Sequence, residues 1–391
     1  MRAGKVVGYA LRTLPWPFTR IFTYENSTMT GLKASFSSRG LRVCILSTLF
    51  SVATQAAADD PAEKGRLVVA NRTSGTISVI DVATDAVTKT VTVATPGARP
   101  PEPMYVNYCQ GLHRVFVSDR SNRYVAVYDD KTFKMLDTAP LGKGAFHMWV
   151  DQKCKQLWSV NDIDKTLSVI NPKTLKEIAV VNLPKELVDQ GGKPHDIALD
   201  PKGKAAFVTI IGVKDKGYVL RYDTKTRKLT QQAEVGVDPH VGVSWKKDRL
   251  FVACQGNSKL YFLNAKDLKS LHEPIDVAGT HGTGWKHNDQ AFYTTNLPGK
   301  GTDGLFAINS ASYAVAGKTD TGNATVGIED VPHNIAISAR DSKLYITHSG
   351  HGEGEAKGVV TVYDIRNDTA PKFIRKIQVG LNPFGIAYLP K

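Results

Sequence analysis

Short apolar runs separated by polar turns recur along almost the whole chain. Seven of these runs are strand-like, because they are rich in β-branched and aromatic residues, and they begin at Leu67, Val115, Leu157, Ala206, Leu250, Ala291 and Leu344. A further run follows in each repeat and ends in Asp or Asn, as in Thr76-Ile77-Ser78-Val79-Ile80-Asp81. No long stretch has a helical period. The pattern therefore predicts an all-β protein.

A short polar motif follows several of these runs. In four repeats a threonine stands three residues after the final Asp or Asn, at Thr84, Thr132, Thr174 and Thr226. A short polar side chain at such a position bonds its own following backbone. The spacing therefore predicts a tight hairpin between the third and fourth strands of each unit.

A second recurring stretch precedes each strand-like run by about ten residues. Its fullest copies read Pro194-His195-Asp196-Ile197-Ala198-Leu199 and Pro332-His333-Asn334-Ile335-Ala336-Ile337. The anchor positions, occupied by histidine in five copies, are 104, 147, 195, 240, 281, 333 and 384. Seven copies spaced 41 to 52 residues apart indicate one supersecondary unit used seven times.

Four predicted strands per unit and seven units indicate a seven-bladed β-propeller, whose radial repetition leaves only short, protected sheet edges. The N-terminal copy begins at its second strand, with Leu67, and the C-terminal copy stops after its first strand, at 385–389. One blade is thus completed by both ends of the chain, which removes two sheet edges. We expect the propeller to span residues 66–391, after a short tail at 59–65.

Residues 29–58 have the organisation of a secretory signal peptide. A basic region is followed by the apolar run 43–53 and then by small residues. The run is too short to span a membrane as a stable helix, so we expect no transmembrane segment in the mature chain. We expect cleavage before Asp59, export to the periplasm and a translation start at Met29, with residues 1–28 a wrongly assigned leader.

The net charge of the chain gives little information about the binding partners of the protein. The whole chain carries a formal net charge of +13, and loss of residues 1–58 leaves +7. Such a charge favours anionic partners without demonstrating nucleic-acid binding, and no interleaved basic and aromatic stripe supports single-stranded nucleic acid. The four tryptophans of the propeller are interpreted as packing residues: Trp149, Trp158, Trp245 and Trp285.

Three cysteines remain after the predicted leader. Cys109 lies five residues after its anchor and Cys154 seven after its own, so both occupy the same turn of neighbouring repeats. Export to an oxidising compartment permits disulfides. A Cys109–Cys154 bridge is one interpretation, and the other is three separate thiols with Cys254 buried in a strand.

The repeats resemble those of the YVTN-type β-propeller proteins, which include YncE-like periplasmic proteins. The family's Tyr-Val-Thr/Ala-Asn element corresponds to Val68-Val69-Ala70-Asn71 and Tyr345-Ile346-Thr347-His348, and its Val-Ser-Val-Ile-Asp element corresponds to Ile77-Ser78-Val79-Ile80-Asp81. The resemblance covers roughly residues 66–391 and implies a periplasmic propeller. It is specific for the fold and weak for function, because propellers host many chemistries.

The anchors predict a candidate site on the face where strand one begins and strand two ends. Three long loops are expected there, at 212–217, 296–304 and 349–358. Neutral imidazole suits copper, iron and zinc, so one hypothesis is a metal or metal-cofactor site at the mouth of the central channel. The candidate ligands are His147, His195, His240, His281 and His333 around the axis, with His348 and His351 above them.

Two other interpretations of the histidines stay open. Side chains of strand one alternate toward the two neighbouring blades, so a histidine such as His333 could cap an inter-blade contact and bond the turn before it. A site for an organic ligand would use the same face. The sequence does not show which side of strand one each histidine occupies, and the choice depends on that geometry.

An enzymatic alternative rests on a further resemblance. Lactonases of the phosphogluconolactonase and carboxymuconate-cyclising type also have Pro-His repeats on seven blades, followed by a turn like Pro201-Lys202-Gly203. The resemblance implies hydrolysis of a cyclic ester beside His195 or His333. The assisting residues would be Glu329 or Glu353, with Arg221 or Arg340.

The sequence thus favours an exported, monomeric binding protein with a histidine-rich face. Its expected partner is a small ligand, a metal ion such as copper, iron or zinc, or a periplasmic protein. Lactonase-like hydrolysis and a non-catalytic scaffold for protein or single-stranded nucleic acid are the alternatives. Catalysis is not required by any of the motifs.

Overall fold

Seven four-stranded antiparallel sheets make up most of this computed structural model, which describes residues 63–297, 304–321, 331–349 and 358–391. All of the described residues belong to one compact unit, which begins at Ala58. The predicted leader at 1–28 and signal peptide at 29–58 lie outside the described residues, as does most of the tail at 59–65. No helix in the described part of the chain is long and apolar enough to cross a membrane.

Each sheet is one blade of a propeller, as the sequence predicted. From the innermost to the outermost strand, the blades are β28 (Pro383–Leu389), β1 (Arg66–Asn71), β2 (Thr76–Asp81) and β3 (Ala86–Thr92); β4 (Pro103–Cys109), β5 (Arg114–Asp119), β6 (Tyr124–Asp129) and β7 (Met135–Pro140); β8 (Ala145–Val150), β9 (Leu157–Asn161), β10 (Thr166–Ile170) and β11 (Glu177–Asn182); β12 (Lys193–Leu199), β13 (Ala205–Val213), β14 (Lys216–Asp223) and β15 (Leu229–Val235); β16 (Pro239–Val243), β17 (Arg249–Cys254), β18 (Lys259–Asn264) and β19 (Ser270–Asp276); β20 (Thr280–Trp285), β21 (Ala291–Asn296), β22 (Gly304–Asn309) and β23 (Val315–Asp320); and β24 (Pro332–Ile337), β25 (Lys343–His348), β26 (Val359–Asp364) and β27 (Lys372–Gln378). A short helix, α1 (Lys185–Asp189), and two 3₁₀ turns (Gln110–Leu112 and Gln255–Asn257) complete the described elements.

The two ends of the propeller meet in one blade, which confirms the predicted closure. Strand β28 pairs antiparallel with β1, with Leu67 opposite Tyr388 and Val69 opposite Ile386. The innermost strands of successive blades contact one another around the ring, and β28 contacts both β24 and β4. The closed ring leaves only short, protected sheet edges, because the innermost strands pack against one another around the axis.

The hydrophobic core lies between neighbouring blades. One cluster joins Leu67 and Val69 of β1 to Tyr345 of β25 and Val360 of β26. Trp158 is fully buried, 6.4 Å from the ring of Tyr222 in the next blade, so its predicted packing role is confirmed. The outermost strands are mostly exposed, as in β3. Burial therefore decreases from the axis to the rim.

The predicted tight hairpins are present between the third and fourth strands. The Oδ1 atom of Asp81 accepts hydrogen bonds from both the N–H and the hydroxyl of Thr84, at 2.9 and 3.0 Å. The next residue, Asp85, has a φ of 53°, and the strand pairing shifts register just beyond it. A left-handed residue after such a turn is a usual way to start a β-hairpin with a bulge. The pairs Asp129/Thr132 and Asp223/Thr226 form the same hydrogen bond from the threonine N–H to the aspartate Oδ1.

A disulfide links two neighbouring blades. Cys109 ends β4, Cys154 lies in the turn after β8, and their Cα atoms are 5.7 Å apart. The bridge closes a segment of 45 residues, for which loop-closure entropy gives a stabilisation of about 4 kcal/mol. Cys254 is a buried thiol at the end of β17.

One predicted functional loop is part of a sheet instead. Residues 212–217 were expected to form a long loop, but β13 and β14 extend into them and Val213 pairs with Lys216. The apolar and β-branched residues before Gly212 carry the hairpin beyond its expected end. The loops 296–304 and 349–358 fall largely outside the described residues.

Candidate functional site

The anchor residues sit where strand one is irregular. In six of the seven blades, the pairing of strand one with strand two shifts register at the anchor. Such a bulge breaks the strict alternation of a strand and re-aims a side chain. The bulges explain why alternation along the sequence did not decide which way the histidines point.

Hydroxyl groups on strand two replace the ladder hydrogen bonds that the bulges remove. The hydroxyls of Ser118, Thr209, Thr295 and Thr347 each accept the N–H of the residue after the anchor of their own blade, at 3.0, 2.9, 2.9 and 3.1 Å. Two of them also donate to an anchor carbonyl in the next blade, Thr295 to His333 at 2.7 Å and Thr347 to Phe384 at 2.8 Å. These two anchors, His333 and Phe384, are thus held by two blades at once.

The five anchor histidines form part of a ring of side chains around the propeller axis. Ring centroids are 5.3 Å apart for His147–His195, 4.7 Å for His195–His240, 3.8 Å for His240–His281 and 4.5 Å for His281–His333. Phe384 and Tyr105 complete it, with centroids 4.3 Å apart for His333–Phe384, 5.6 Å for Phe384–Tyr105 and 3.8 Å for Tyr105–His147. We call these seven residues, one from each blade, the axial ring.

The axial ring is tightly packed. His147, His240, His281 and His333 are each at most 5% exposed. A Cβ atom at Gly282 would lie 1.8 Å from the backbone oxygen of His333, so only glycine allows β20 and β24 to approach this closely. The first anchor along the chain, Met104, does not belong to the axial ring. Its side chain is buried, and the neighbouring Tyr105 occupies the ring position.

The other two histidine candidates are His348 and His351, which were predicted to lie above the axial ring. His348 is buried in its own sheet, where its Nε2 lies 2.8 Å from the hydroxyl of Thr361 on β26. His351 lies outside the described residues.

A directed chain of hydrogen bonds crosses one side of the axial ring. The hydroxyl of Tyr105 lies 2.7 Å from Nε2 of His147, and Nδ1 of His147 lies 2.6 Å from Oδ1 of Asp196. Because an ionised carboxylate only accepts, Nδ1 carries the imidazole hydrogen and Nε2 accepts from Tyr105. Asn334 donates from Nδ2 to the Tyr105 oxygen at 3.4 Å. We call Tyr105, His147 and Asp196 the relay.

The electrostatics of the relay favour this arrangement. Burial acts to raise the pKa of Asp196, but the electrostatic interaction and hydrogen bond with His147, together with His240 and the N–H of Val241, hold that pKa below its usual value. The N–H groups of Ile197 and Val241 donate to the two carboxylate oxygens at 2.7 and 2.9 Å. Burial and the Asp196 charge raise the pKa of Tyr105 well above its usual value. Asp196 is therefore the anion of the relay and Tyr105 a neutral donor.

A second group of polar atoms converges beside the relay. Nε2 of His195 lies 3.3 Å from Nε2 of His240 and 3.6 Å from Oδ1 of Asp238. One ligand atom from each of His147, His195 and His240 can be chosen so that all three lie within 4.8 Å of one another. Burial lowers the pKa of His240, although Asp238 and Asp196 oppose the shift, so its imidazole stays neutral and able to bind a metal.

The predicted assisting arginines lie away from this site. Arg221 donates from Nε to the backbone oxygen of Ala265 at 3.0 Å, in the turn after β18 of the next blade. Arg340 lies in the turn after β24, at the end of strand one opposite His333. Arg221, near the end of β14, and Arg340 thus both lie toward the end of the blades away from the anchors. Glu329 and Glu353 lie outside the described residues.

Three residues of the site, Tyr105, Asp196 and Asp238, were missed by the sequence analysis, which treated Asp196 only as part of the repeated stretch. Tyr105 was hidden because the bulge in β4 shifts the ring position by one residue from Met104. Asp238 has a φ of 57°, which turns its carboxylate back toward His195 and His240. The sequence signal for Asp238 was an acidic residue directly before Pro239-His240, of a type that adopts the left-handed region more readily than most.

The fold and the site define a class: an all-β, seven-bladed propeller whose blades present histidines and acidic residues to a common axis. The sequence matches the model of the lactonase family of seven-bladed β-propellers over residues 66–383, so the chain belongs to that family. No curated protein matches this chain. The repeat-based prediction of a propeller is therefore confirmed, with the lactonase propellers as its family.

Solved structures with the same fold are distant in sequence. Hydrazine synthase from Kuenenia stuttgartiensis is similar with a TM-score of 0.63 and 16% identity, over 76% of this chain and 92% of that one. A functionally unknown protein from Desulfotomaculum acetoxidans gives 0.65 and 13%, over 84% and 100%. A proposed 6-phosphogluconolactonase from Bacteroides uniformis gives 0.62 and 16%, over 84% and 100%. Identities this low support the fold alone.

Proposed function

We propose that this protein hydrolyses a cyclic ester, with the relay as its proton-transfer machinery. The observation that carries the proposal is the directed chain from the Tyr105 hydroxyl through His147 to the Asp196 carboxylate, with heavy-atom distances of 2.7 and 2.6 Å. Membership of the lactonase propellers supports the same reaction class. The predicted signal peptide and the disulfide support an exported, periplasmic location.

The relay can supply both proton transfers that hydrolysis needs. A water molecule beside Tyr105 gives a proton to the Tyr105 oxygen as the Tyr105 proton passes to Nε2 of His147, and the resulting hydroxide adds to the ester carbonyl. The ring C–O bond then breaks, and the leaving alkoxide receives the proton back along the same path to give a hydroxy acid. Because the pKa of Tyr105 is raised, the transfers are concerted and no standing phenolate forms.

The test is ring opening of γ-butyrolactone, δ-valerolactone and glucono-δ-lactone, followed by acid release in a pH-stat. We expect turnover of at least one of these lactones by the wild-type protein and a loss of about 100-fold or more in its kcat for His147→Gln, because general base catalysis contributes about that much. His272→Gln is the matched control, since His272 is exposed on the outer strand β19. Absence of turnover for all three lactones would contradict the proposal.

A second candidate function is transition-metal binding at the axial ring. It is favoured by the convergence of one ligand atom each from His147, His195 and His240 within 4.8 Å. Asp238 adds a carboxylate 3.6 Å from His195 and 4.0 Å from His240. Histidine and carboxylate ligands in one cluster suit copper, zinc or iron. A bound metal would compete with Tyr105 for Nε2 of His147.

Metal binding is tested by elemental analysis of untagged protein after dialysis against Cu²⁺ or Zn²⁺. We expect about one equivalent in the wild type, none in His195→Gln/His240→Gln, and an unchanged amount in His272→Gln. Because the pKa of His240 is lowered, binding should persist as the pH falls somewhat below the usual histidine value of about 6.5. Equal metal content in all three proteins would rule out this site.

A further inference from the structure

The central channel contains a cavity of about 670 Å³ whose lining is divided by depth. Its inner end is polar and includes the relay residues Tyr105, His147 and Asp196. Further along the channel, side chains from the innermost strands of five different blades form an aliphatic wall: Val106, Ile197, Val243, Ile335 and Ile386. An apolar cavity of this size with a few convergent polar groups has the composition of a small-molecule site.

The outer end of the cavity carries exposed aromatic side chains beside the polar residues Gln110, Gln152 and Asp200. Trp149 and Trp245 line it and are each 36% exposed, at the end of strand one opposite the axial ring. The Trp245 indole stacks on His287, with centroids 5.0 Å apart and planes 24° apart, and Nδ1 of His287 lies 2.8 Å from Asp341. The indole is thus held in a fixed plane at the entrance. Tryptophan faces exposed at a channel mouth are unusual for packing residues and suit contact with apolar ring or chain atoms.

The charge of the cavity excludes one class of ligand. Among the described residues, no lysine or arginine lines it, whereas the carboxylates of Asp196 and Asp200 do. Positive charge is concentrated in a separate cavity of about 540 Å³, lined by Arg99, Arg123 and Lys143. An anionic ligand placed in the channel would face two carboxylates with no compensating cation, which is costly in an apolar site. The channel therefore suits a neutral ligand.

We propose that the channel binds a neutral lactone with a hydrocarbon substituent, which enters between Trp149 and Trp245. The hydrocarbon part contacts the aliphatic wall, and the ester group reaches the relay at the inner end. The lactone identity rests on the proposed hydrolysis, whereas the preference for a neutral apolar molecule rests only on the lining of the cavity. A hydroxylated or phosphorylated sugar lactone would leave its polar groups unpaired against the aliphatic wall.

The test separates binding from hydrolysis by using 2-pentylcyclopentanone, a neutral ring that water cannot open. Titration calorimetry of the full chain should show one site with a negative heat-capacity change, the signature of buried apolar surface. Glucose and glucose 6-phosphate should not bind. Val243→Phe, which fills the channel, should weaken binding about tenfold or more, while Val180→Phe on the exposed face of β11 should leave it unchanged.

A second variant keeps the test decisive if Val243→Phe is unstable. Trp245→Ala removes an exposed side chain at the entrance and should weaken binding about threefold to tenfold without unfolding the protein. Absence of ketone binding, or binding that neither variant changes, overturns the proposal. Ketone binding without turnover of any lactone leaves the channel site in place and removes the hydrolase. Turnover of sugar lactones that the ketone does not inhibit would support the hydrolase and overturn the proposed channel site.

Discussion

Asp196→Asn is expected to lower kcat for lactone ring opening about a thousandfold, with KM changed by no more than about twofold. The amide keeps the size of the carboxylate, and its oxygen can still accept the N–H of Val241. The other side of the group then becomes a donor toward Nδ1 of His147. The imidazole must place its hydrogen on Nε2, where it can no longer take a proton from Tyr105. The loss therefore comes from the wrong tautomer and appears in kcat.

The pH dependence provides a further check on this variant. The pKa of Asp196 is lowered in the folded protein, so its carboxylate stays ionised at and above pH values where an ordinary Asp, with a pKa near 3.8, has begun to protonate. The difference between wild type and variant should thus persist between about pH 5 and about pH 8. Asp276→Asn, an exposed change on β19, is the control. A kcat for Asp196→Asn within about tenfold of wild type would show that the relay does not carry the reaction.

The sequence predicted the fold because the fold depends on local, repeated features. The apolar runs and the Asp–Thr turns are short-range patterns, and each of them recurs where the structure has a strand or hairpin. The missing first strand at Leu67 and the missing later strands after Leu389 predicted the shared blade, since an open propeller would expose two edges. Neither the repeated local patterns nor the incomplete first and last repeats depend on the direction of any side chain, so both could be identified from the sequence.

The site could be predicted only in part, because side-chain direction depends on bulges that the sequence does not mark. The anchors His147, His195, His240, His281 and His333 were found from their repetition alone. Four of them lie at register shifts, and the strand-two hydroxyls of Thr209, Thr295 and Thr347 support three of those blades, whereas the pairing at His240 is regular. The same limit applies to the channel: Trp149 and Trp245 were interpreted as packing residues, and only the closed ring shows that they line the cavity.

The hydrogen bonds that hold the anchors cross from blade to blade, which ties the site to the closure of the ring. Thr347 of β25 donates to the carbonyl of Phe384 on β28, and Asn334 donates to the same carbonyl at 3.1 Å. Asn334 also reaches the Tyr105 hydroxyl of the relay, in the blade beyond. Strand β28, the C-terminal strand of the chain, is thus both the innermost strand of the shared blade and a support for the relay. Its loss should therefore affect stability and activity together.

Removal of residues 383–391, which deletes β28, is therefore expected to abolish the cooperative fold. Phe384 and Leu389 are 1% and 0% exposed, and burying two such side chains contributes about 3 to 6 kcal/mol. That amount is comparable to the whole stability of many domains, about 5 to 15 kcal/mol. The deletion also opens the sheet edge of β1 and removes the packing of β28 against β24 and β4. We expect aggregation or a fall in Tm of more than about 20 °C, measured by calorimetry and size-exclusion chromatography.

The control removes Lys391 alone, which lies beyond β28 and is exposed, and should leave the Tm within about 2 °C of the full chain. Addition of a synthetic peptide with the sequence of 383–391 should restore part of the Tm of the deleted protein, whereas a scrambled peptide should not. Rescue would show that β28 acts by completing the blade, since the peptide supplies the strand without its covalent link. A deleted protein that keeps its Tm and its lactone turnover would show that neither the fold nor the relay depends on closure of the ring.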